Sequence, residues 1–374
     1  MTRYNSFFPK TEIVFGPGLL ERLQDFRGQR IGIVTDTFMA SSGALERVRS
    51  YLDGCEVEVF AEAVPESPLD TVSAGARQFG AFAPDVLIGL GGGSPIDAAK
   101  AMLAILREMA PERRIRLVAI PTTSGTGSEV TAFAVVSDPA KGRKFPLISS
   151  ELVSDIALLD PELVRSALAG VTADTGMDVI THAVEAVVST GATHFSDACA
   201  EKALELAFAF LPRAFDDGDD MEARDAMHQG SCLAGLAFTA AGLGINHGMA
   251  HALGAQMHMV HGRSNALLLP YLIAWNAELP ATARRYARIA RNLGLDVPST
   301  RAGVRALIRE IEKLNAHLGM PATLQAAGCD LTELSRRRPE IAAAAMADAC
   351  TASNPRKPRQ DELEDLLAQI AGHA

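Results

Sequence analysis

At 374 residues the chain is longer than one typical domain of ~100–200 residues, so two domains are expected. Hydrophobic residues at 48% and charged residues at 21% are enough for a large buried core and exclude a disordered or fibrous chain. With 35 Lys plus Arg against 45 Asp plus Glu, the formal charge of −10 excludes nucleic-acid binding through a broad basic field.

Met1 leads into Arg3, Tyr4 and Asn5 with no basic segment before an apolar run, so no signal peptide is expected. Arg30–Asp36 reads as a buried strand ending at a polar residue, and Val57–Phe60 as a second strand. Leu69–Phe82 has helical periodicity. Asp85–Leu90 is a third strand, Pro95–Met109 a helix and Arg116–Ile120 a fourth strand. Alternation of this kind predicts parallel βαβ units. Val130–Ser137 and Ile156–Leu159 are expected to add strands around a turn at Asp138–Gly142.

From about Val171 the pattern changes. Ala173–Thr190, Phe195–Leu211, Met221–Ala241, Ala266–Glu278, Pro280–Leu293, Thr300–Leu318, Glu333–Ala352 and Asp361–Ala371 all carry helical periodicity. The expected architecture is an α/β domain over residues 1–170 and an all-α domain over residues 171–374. A cleft between them is the default ligand site. Apolar stretches such as Ala203–Leu211, interrupted by Glu205, are too short to span a bilayer. The five cysteines are scattered without CxxC spacing and read as reduced core thiols of a cytoplasmic protein.

Two turns carry chemistry in the first half. Gly91, Gly92, Gly93, Ser94 and Pro95 join a buried strand to a helix. Glycines permit close backbone approach, Ser94 is suited to cap the helix, and Pro95 suits its first turn. Such a start presents N–H groups and a positive dipole end to a phosphate, although a tight βα turn alone also explains it. The second turn, Pro121–Glu129, packs five hydroxyls (Thr122, Thr123, Ser124, Thr126 and Ser128) into nine residues, more than a plain turn needs. Two such turns after neighbouring strands are where open α/β sheets bind nucleotides. Asp36, at the end of another strand, suits either a ribose 2′-OH, which would favour NAD, or a helix cap.

The second half carries a metal-type constellation. Four of the nine histidines, His247, His251, His258 and His261, lie within fifteen residues. His247 and His251 share one helix face at i,i+4, as do Asp178 and His182. Four imidazoles in an apolar stretch are costly to bury without partners. Asp178, His182 and two of the cluster would suit Fe²⁺ or Zn²⁺. The other histidines read as satisfied core or cap residues: His258, and the isolated His194, His228, His317 and His373. GxSxG and HExxH are absent, so covalent hydrolysis is not supported.

The motifs Gly91–Lys100, Pro121–Thr131, Thr175–Glu185 and His247–Gly254 resemble those of the iron-containing (group III) alcohol dehydrogenases, from Phe15 to Arg356 in the right order. The resemblance implies a dinucleotide-binding α/β domain and a helical metal- and substrate-binding domain. It matches the metal ligands to Asp178, His182, His247 and His261, and makes His251 a proton relay beside nicotinamide and substrate. It places Asp36 near the adenosine ribose and Gly92, Gly93 and Ser94 in the pyrophosphate loop, with Asp97 in the helix behind. It sets Thr122, Thr123 and Thr126 around adenine and phosphate, Lys144 at the nicotinamide ribose and Phe238 near the ring. Ser67-Pro68, Ala252 and Leu168-Ala169 depart from the family pattern. Ser231–His247 looks closest to the propanol dehydrogenases.

The expected activity is hydride transfer between NAD(H) and a small primary alcohol or aldehyde, with Fe²⁺ or Zn²⁺, in a cytoplasmic homodimer or larger homo-oligomer that binds neither nucleic acid nor membrane. Lactaldehyde, butanol, methanol and polyols are alternative substrates. A sugar-phosphate cyclase resembling dehydroquinate synthase is the alternative of another class. It needs several basic residues for a substrate phosphate, whereas the Asp178–His261 region offers only Lys202, Arg213 and Arg224, none near a ligand.

Overall fold

A computed structural model of the chain describes residues 7, 9–138 and 143–372 and, of residues 143–145, the backbone alone. The chain divides into two compact units, Met1–Ala167 and Leu168–Ala374.

In the first unit β1 (Glu12–Phe15) leads through a 3₁₀ turn (Leu19–Phe26) to β2 (Arg30–Val34). Two short helices follow, α1 (Thr37–Ser41) and α2 (Ala44–Arg49), then β3 (Glu56–Phe60) and α3 (Leu69–Phe82). Next come β4 (Val86–Gly91), α4 (Gly93–Met109) and β5 (Arg116–Pro121). After β6 (Phe133–Asp138) and β7 (Arg143–Ile148), the unit closes with β8 (Ile156–Leu159) and α5 (Pro161–Val164). Six strands form one parallel sheet in the order β1-β8-β5-β4-β2-β3.

The apolar strand sequences explain why this sheet is covered on both faces. In β4, Leu87 packs with Phe79 and Met102, while its neighbours Ile88 and Leu90 pack with Leu20 and Phe26. Successive side chains of one strand thus feed two different cores. The chain passes from β2 to β3 on one side and then crosses to β4 on the other. The carboxyl ends of β2 and β4 therefore flank a topological switch point, where such sheets open a crevice.

One strand pairing differs from expectation. Across the 138–142 turn, β6 pairs antiparallel with β7, not with Ile156–Leu159. The latter, as β8, lies between β1 and β5 in the main sheet. β7 carries Arg143, Lys144 and Pro146, and a two-stranded ribbon tolerates this mixed composition where a buried central strand does not. Residues 139–142 of that turn lie outside the described residues.

The second unit is helical, with no strand among its described residues. It comprises α6 (Ala169–Val188), α7 (His194–Asp216), α8 (Met221–Ala241), α9 (Ile245–Met257) and α10 (His261–Asn276). α11 (Pro280–Asn292), α12 (Thr300–His317), α13 (Leu331–Ala347) and α14 (Gln360–Ile370) complete it, with a 3₁₀ turn at Ala349–Ser353. α6 is buried from Gly176 to Val188 and packs against α7, α8 and α10. A helix buried on all sides is a central helix, and its few polar side chains then need partners. α9 packs against α10 and α13 through Ile245, Met249, Leu253, Leu268 and Ile341. No described helix is long and apolar enough to cross a membrane.

Candidate functional site

In the α/β unit the turns after β2, β4 and β5 come together. Gly91 ends β4 at φ +146°, a conformation open to glycine, and a Cβ there would fall 2.6 Å from Pro95 Cγ. Gly92, not Ser94, is the N-cap of α4, and it has no side chain to occupy the first N–H groups of the helix. That leaves the α4 N-terminus suited to an anion. The second turn abuts the first: a Cβ on Gly92 would lie 3.2 Å from Thr123 Oγ1, and one on Gly93 2.9 Å from Thr126 Cγ2. Thr122 N–H donates to Gly91 O at 2.9 Å. Ser67 donates from Oγ to Ser94 O at 3.0 Å and ties a third loop to the glycine turn.

Asp36 serves as the N-cap of α1, its Oδ1 accepting from Met39 N–H at 2.8 Å, while Oδ2 lies on the Gly91 side. Both oxygens of Asp97 have protein donors, Ser128 Oγ at 2.5 Å and Val135 N–H at 2.9 Å. Asp97 therefore braces the hydroxyl-rich turn rather than presenting an open carboxylate. Beside it, fully buried Lys100 donates to Thr131 O, Thr131 Oγ1 and Phe133 O at 2.9, 3.0 and 2.9 Å. Burial pushes the Lys100 ammonium down to about 8 against the attraction of Asp97 and Glu129. Burial likewise raises the Asp97 carboxyl. Lys144 lies on β7 opposite Ser137, and its side chain lies outside the described residues.

In the helical unit four sequence-distant side chains converge. α6 presents Asp178 and His182, α9 presents His247, and α10 begins at His261. The Nε2 atoms of His182, His247 and His261 lie 3.8, 3.4 and 3.4 Å from Asp178 Oδ1. The His182 and His247 rings stack at 4.6 Å, and Phe238 on α8 stacks on the other side of His182 at 4.4 Å. Asp178, His182 and His247 are buried, whereas His261 keeps 42% of its side chain exposed and gives the cluster an open side.

Asp178, His247 and His261 offer ligand atoms that all lie within 4.8 Å of one another, with His182 Nε2 beside them 3.8 Å from Asp178 Oδ1, and such lone pairs repel unless a positive group lies among them. The Asn265 amide donates to Asp178 Oδ1 at 2.8 Å and lies 3.3 and 3.2 Å from His247 and His261 Nε2. Two amide hydrogens cannot serve every lone pair there, and the donor set fits a divalent transition metal. Burial would raise the Asp178 carboxyl, but the His182 and His261 imidazoles and hydrogen bonds from His247 and His261 hold it well below the ordinary range. Burial would lower His247, yet hydrogen bonds to Asp178 and Glu185 raise it to about 9.

His251 stands apart from the Asp178 point. Its ring stacks on His261 at 5.2 Å, and its Nδ1 lies 2.9 Å from Asp348 Oδ2. That contact occupies Nδ1 and leaves Nε2 as the ring nitrogen that faces away from the carboxylate. Asp348 in turn is anchored by Cys350 N–H at 2.8 Å.

The remaining histidines lie apart from the cluster. His258 ends α9 in the left-handed conformation, His194 opens α7, and His317 pairs with Asp216 at 2.9 Å. His228 is buried in α8, and His373 lies outside the described residues. All five cysteines are free thiols, but only Cys232 is fully buried, so the expectation of five core thiols does not hold.

Glu185, Asn265 and Asp348 were not singled out from the sequence. The first two carried a signal, since Glu185 follows Asp178 and His182 at i+7 and i+3, and Asn265 follows His261 at i+4. Asp348 carried none, being brought to His251 only by packing.

Comparison with known proteins bears on the whole chain. The model described as "Iron-containing alcohol dehydrogenase" matches residues 9–161, and the "Fe-containing alcohol dehydrogenase family, C-terminal" model matches residues 172–371. The chain is 44% identical to the 1-propanol dehydrogenase PduQ of Citrobacter freundii over 98% of its own length and 99% of that protein. It is 38% identical to the NADPH-dependent butanol dehydrogenase of Clostridium saccharobutylicum over 95% of both. A solved 1,3-propanediol oxidoreductase superposes with a TM-score of 0.91 at 32% identity, covering 98% of this chain and 100% of that one. The sulfoacetaldehyde reductase of Bifidobacterium kashiwanohense, solved in complex with NAD⁺, superposes with a TM-score of 0.89 at 27% identity over the full length of both.

Proposed function

The chain belongs to the iron-containing alcohol dehydrogenase family, and from that premise we propose that it transfers hydride between NAD(H) and a small primary alcohol or aldehyde of propanol size. The observation that carries this reading is the convergence of three imidazole Nε2 atoms on Asp178 Oδ1. Asp178, His182, His247 and His261 would hold Fe²⁺ or, with the same donors, Zn²⁺. When bound, the ion supplies Lewis-acid polarisation of the substrate oxygen.

The chain's own residues do the rest. Gly91, Gly92, Gly93 and Ser94 offer the α4 N-terminus to the pyrophosphate, and Thr122, Thr123 and Thr126 line the adjoining turn. Asp36 favours a free ribose 2′-OH over a phosphate there, which supports NAD over the NADPH named for the butanol enzyme. Lys144 and Phe238 are assigned to the nicotinamide end by family likeness. His251 has Nδ1 turned to Asp348, so Nε2 is the atom that would take up or release the hydroxyl proton. A cytoplasmic homodimer or larger homo-oligomer belongs to the same proposal.

Family membership sets aside the sugar-phosphate cyclase alternative. Among substrates, the 44% identity to a 1-propanol dehydrogenase favours propanol and propanal over lactaldehyde, methanol and polyols. The test is NADH oxidation with a panel of short aldehydes after loading with Fe²⁺ or Zn²⁺, beside His261→Ala. Propanal turnover that disappears together with bound metal in the variant is expected. No turnover with any aldehyde under either metal, or a variant that keeps both metal and turnover, overturns the proposal.

A further inference from the structure

The start of α9 is built around a carboxylate that none of the roles above uses. Glu185 lies two turns along α6 from Asp178 and is buried, 4% exposed. Its Oε2 sits 2.6 Å from His247 Nδ1, and its Oε1 accepts from Asn246 N–H at 2.7 Å. The first turn of α9 thus directs a backbone N–H and the positive end of its dipole at the carboxylate. Gly244 makes room for it: a Cβ there would fall 2.6 Å from Glu185 Oε1 and 2.7 Å from Asn354 Oδ1. Asn354 Oδ1 accepts from Ile245 N–H at 3.2 Å and fixes the same turn from the other side.

We infer that Glu185 is a positioning residue for the metal centre: its carboxylate keeps the His247 proton on Nδ1 and so turns the Nε2 lone pair toward the point shared with Asp178. This rests on the reading of Asp178, His182, His247 and His261 as a divalent-metal site. An imidazole has one N–H in its neutral form, and the partner of one nitrogen decides which nitrogen remains to bind a metal. Glu185 Oε2 can only accept, so Nδ1 must donate. In neutral His247, the form that can bind a metal, Nε2 and Asp178 Oδ1 then face each other across 3.4 Å as two lone-pair bearers, a pair that a cation satisfies.

Glu185→Gln tests this with almost no change of shape. Asn246 N–H requires an acceptor, so the amide oxygen settles at the Oε1 position and the NH₂ faces His247 Nδ1. That nitrogen must then accept, and the proton moves to Nε2, where it points into the ligand cluster. Competition with a chromophoric chelator measures the Zn²⁺ dissociation constant of wild type and variant, and thermal unfolding compares the two metal-free proteins.

A loss of about 10- to 100-fold in Zn²⁺ affinity, with metal-free melting within a few degrees of wild type, is expected. Gly244→Ala leaves every ligand and Glu185 in place but crowds the carboxylate, so it should weaken Zn²⁺ binding in the same direction. A Glu185→Gln protein that binds Zn²⁺ as tightly as wild type overturns the inference while leaving the metal centre standing. A metal-free variant that melts far below wild type assigns Glu185 to the fold and also overturns it. A wild-type chain that takes up no Zn²⁺ overturns the metal-centre reading and this inference with it.

Discussion

In the α/β unit the candidate site is made mostly of backbone, whereas in the helical unit it is made of side chains. Gly91, Gly92 and Gly93 matter for the Cβ atoms they lack, and Pro95, Thr123 and Thr126 respectively crowd the places where those atoms would be. Asp178, His182, His247 and His261 matter for their terminal atoms, and the helix backbones beneath them are ordinary. A backbone site should be sensitive to added bulk and indifferent to most chemistry. A side-chain site should be the reverse. The two also differ in charge, since one offers N–H groups to an anion and the other gathers lone pairs for a cation.

The sharpest way to break this contrast is Asp178→Ala, which adds no bulk and removes the atom that three imidazoles face. Metal content by elemental analysis should fall to background, and turnover should drop by roughly a thousandfold, the equivalent of several kcal/mol of lost charge stabilisation. Retained metal would show that the imidazoles alone hold the ion.

A second effect concerns the buried ammonium that braces the backbone site. Lys100→Met leaves Asp97 without its cation and the Thr131 and Phe133 carbonyls without a donor, so the chain should lose ~3 kcal/mol of stability at neutral pH. Folding lowers the Lys100 pKa from 10.5 to about 8, so between those values the unfolded chain binds more protons and stability from this group rises with pH. The gap in melting temperature between wild type and variant should therefore widen from pH 8 towards 10.5. A gap that stays constant would mean that Lys100 titrates as an ordinary lysine.

Gly93→Ala sharpens the contrast from the other side. The new Cβ would lie 2.9 Å from Thr126 Cγ2 and push the two turns apart. KM for NADH should rise roughly tenfold, about 1.4 kcal/mol, with metal content unchanged. Loss of metal in this variant would mean that the two sites are not separately built. The smallest expected effect belongs to Asp348→Ala, which frees the His251 ring from one hydrogen bond. A fall in kcat of about fivefold, corresponding to ~1 kcal/mol, should appear with metal content and NADH KM unaltered.

Much of this was legible in the sequence because its causes are local. The strand–glycine–helix junction at Gly91–Pro95 and the hydroxyl run from Thr122 to Ser128 are contiguous, and the i,i+4 spacing of Asp178 and His182 follows from helical geometry alone. The same locality explains the errors. β1 is four residues long and half exposed, and so has too little apolar pattern to be read as a strand. β7 carries two charges and a proline, and its partner β6 was assigned instead to Ile156–Leu159. Ser94 looked like the helix cap because serine favours that position, but the cap lies two residues earlier, on Gly92.

The sequence by itself determined two helix faces, a glycine-rich and a hydroxyl-rich turn, and the change from alternating strands to continuous helices near residue 170. Its spacing read His258 as a core or cap residue but did not by itself choose ligands among His247, His251 and His261. Tertiary structure made that choice: packing of α9 and α10 against each other, and of α10 against α6, brings His247 and His261 to Asp178. It leaves His258 at a helix end and turns His251 toward Asp348. Periodicity fixes which residues share a face of one helix, but the meeting of faces from different helices depends on core contacts such as those of Met249, Leu253 and Leu268, which no local pattern encodes.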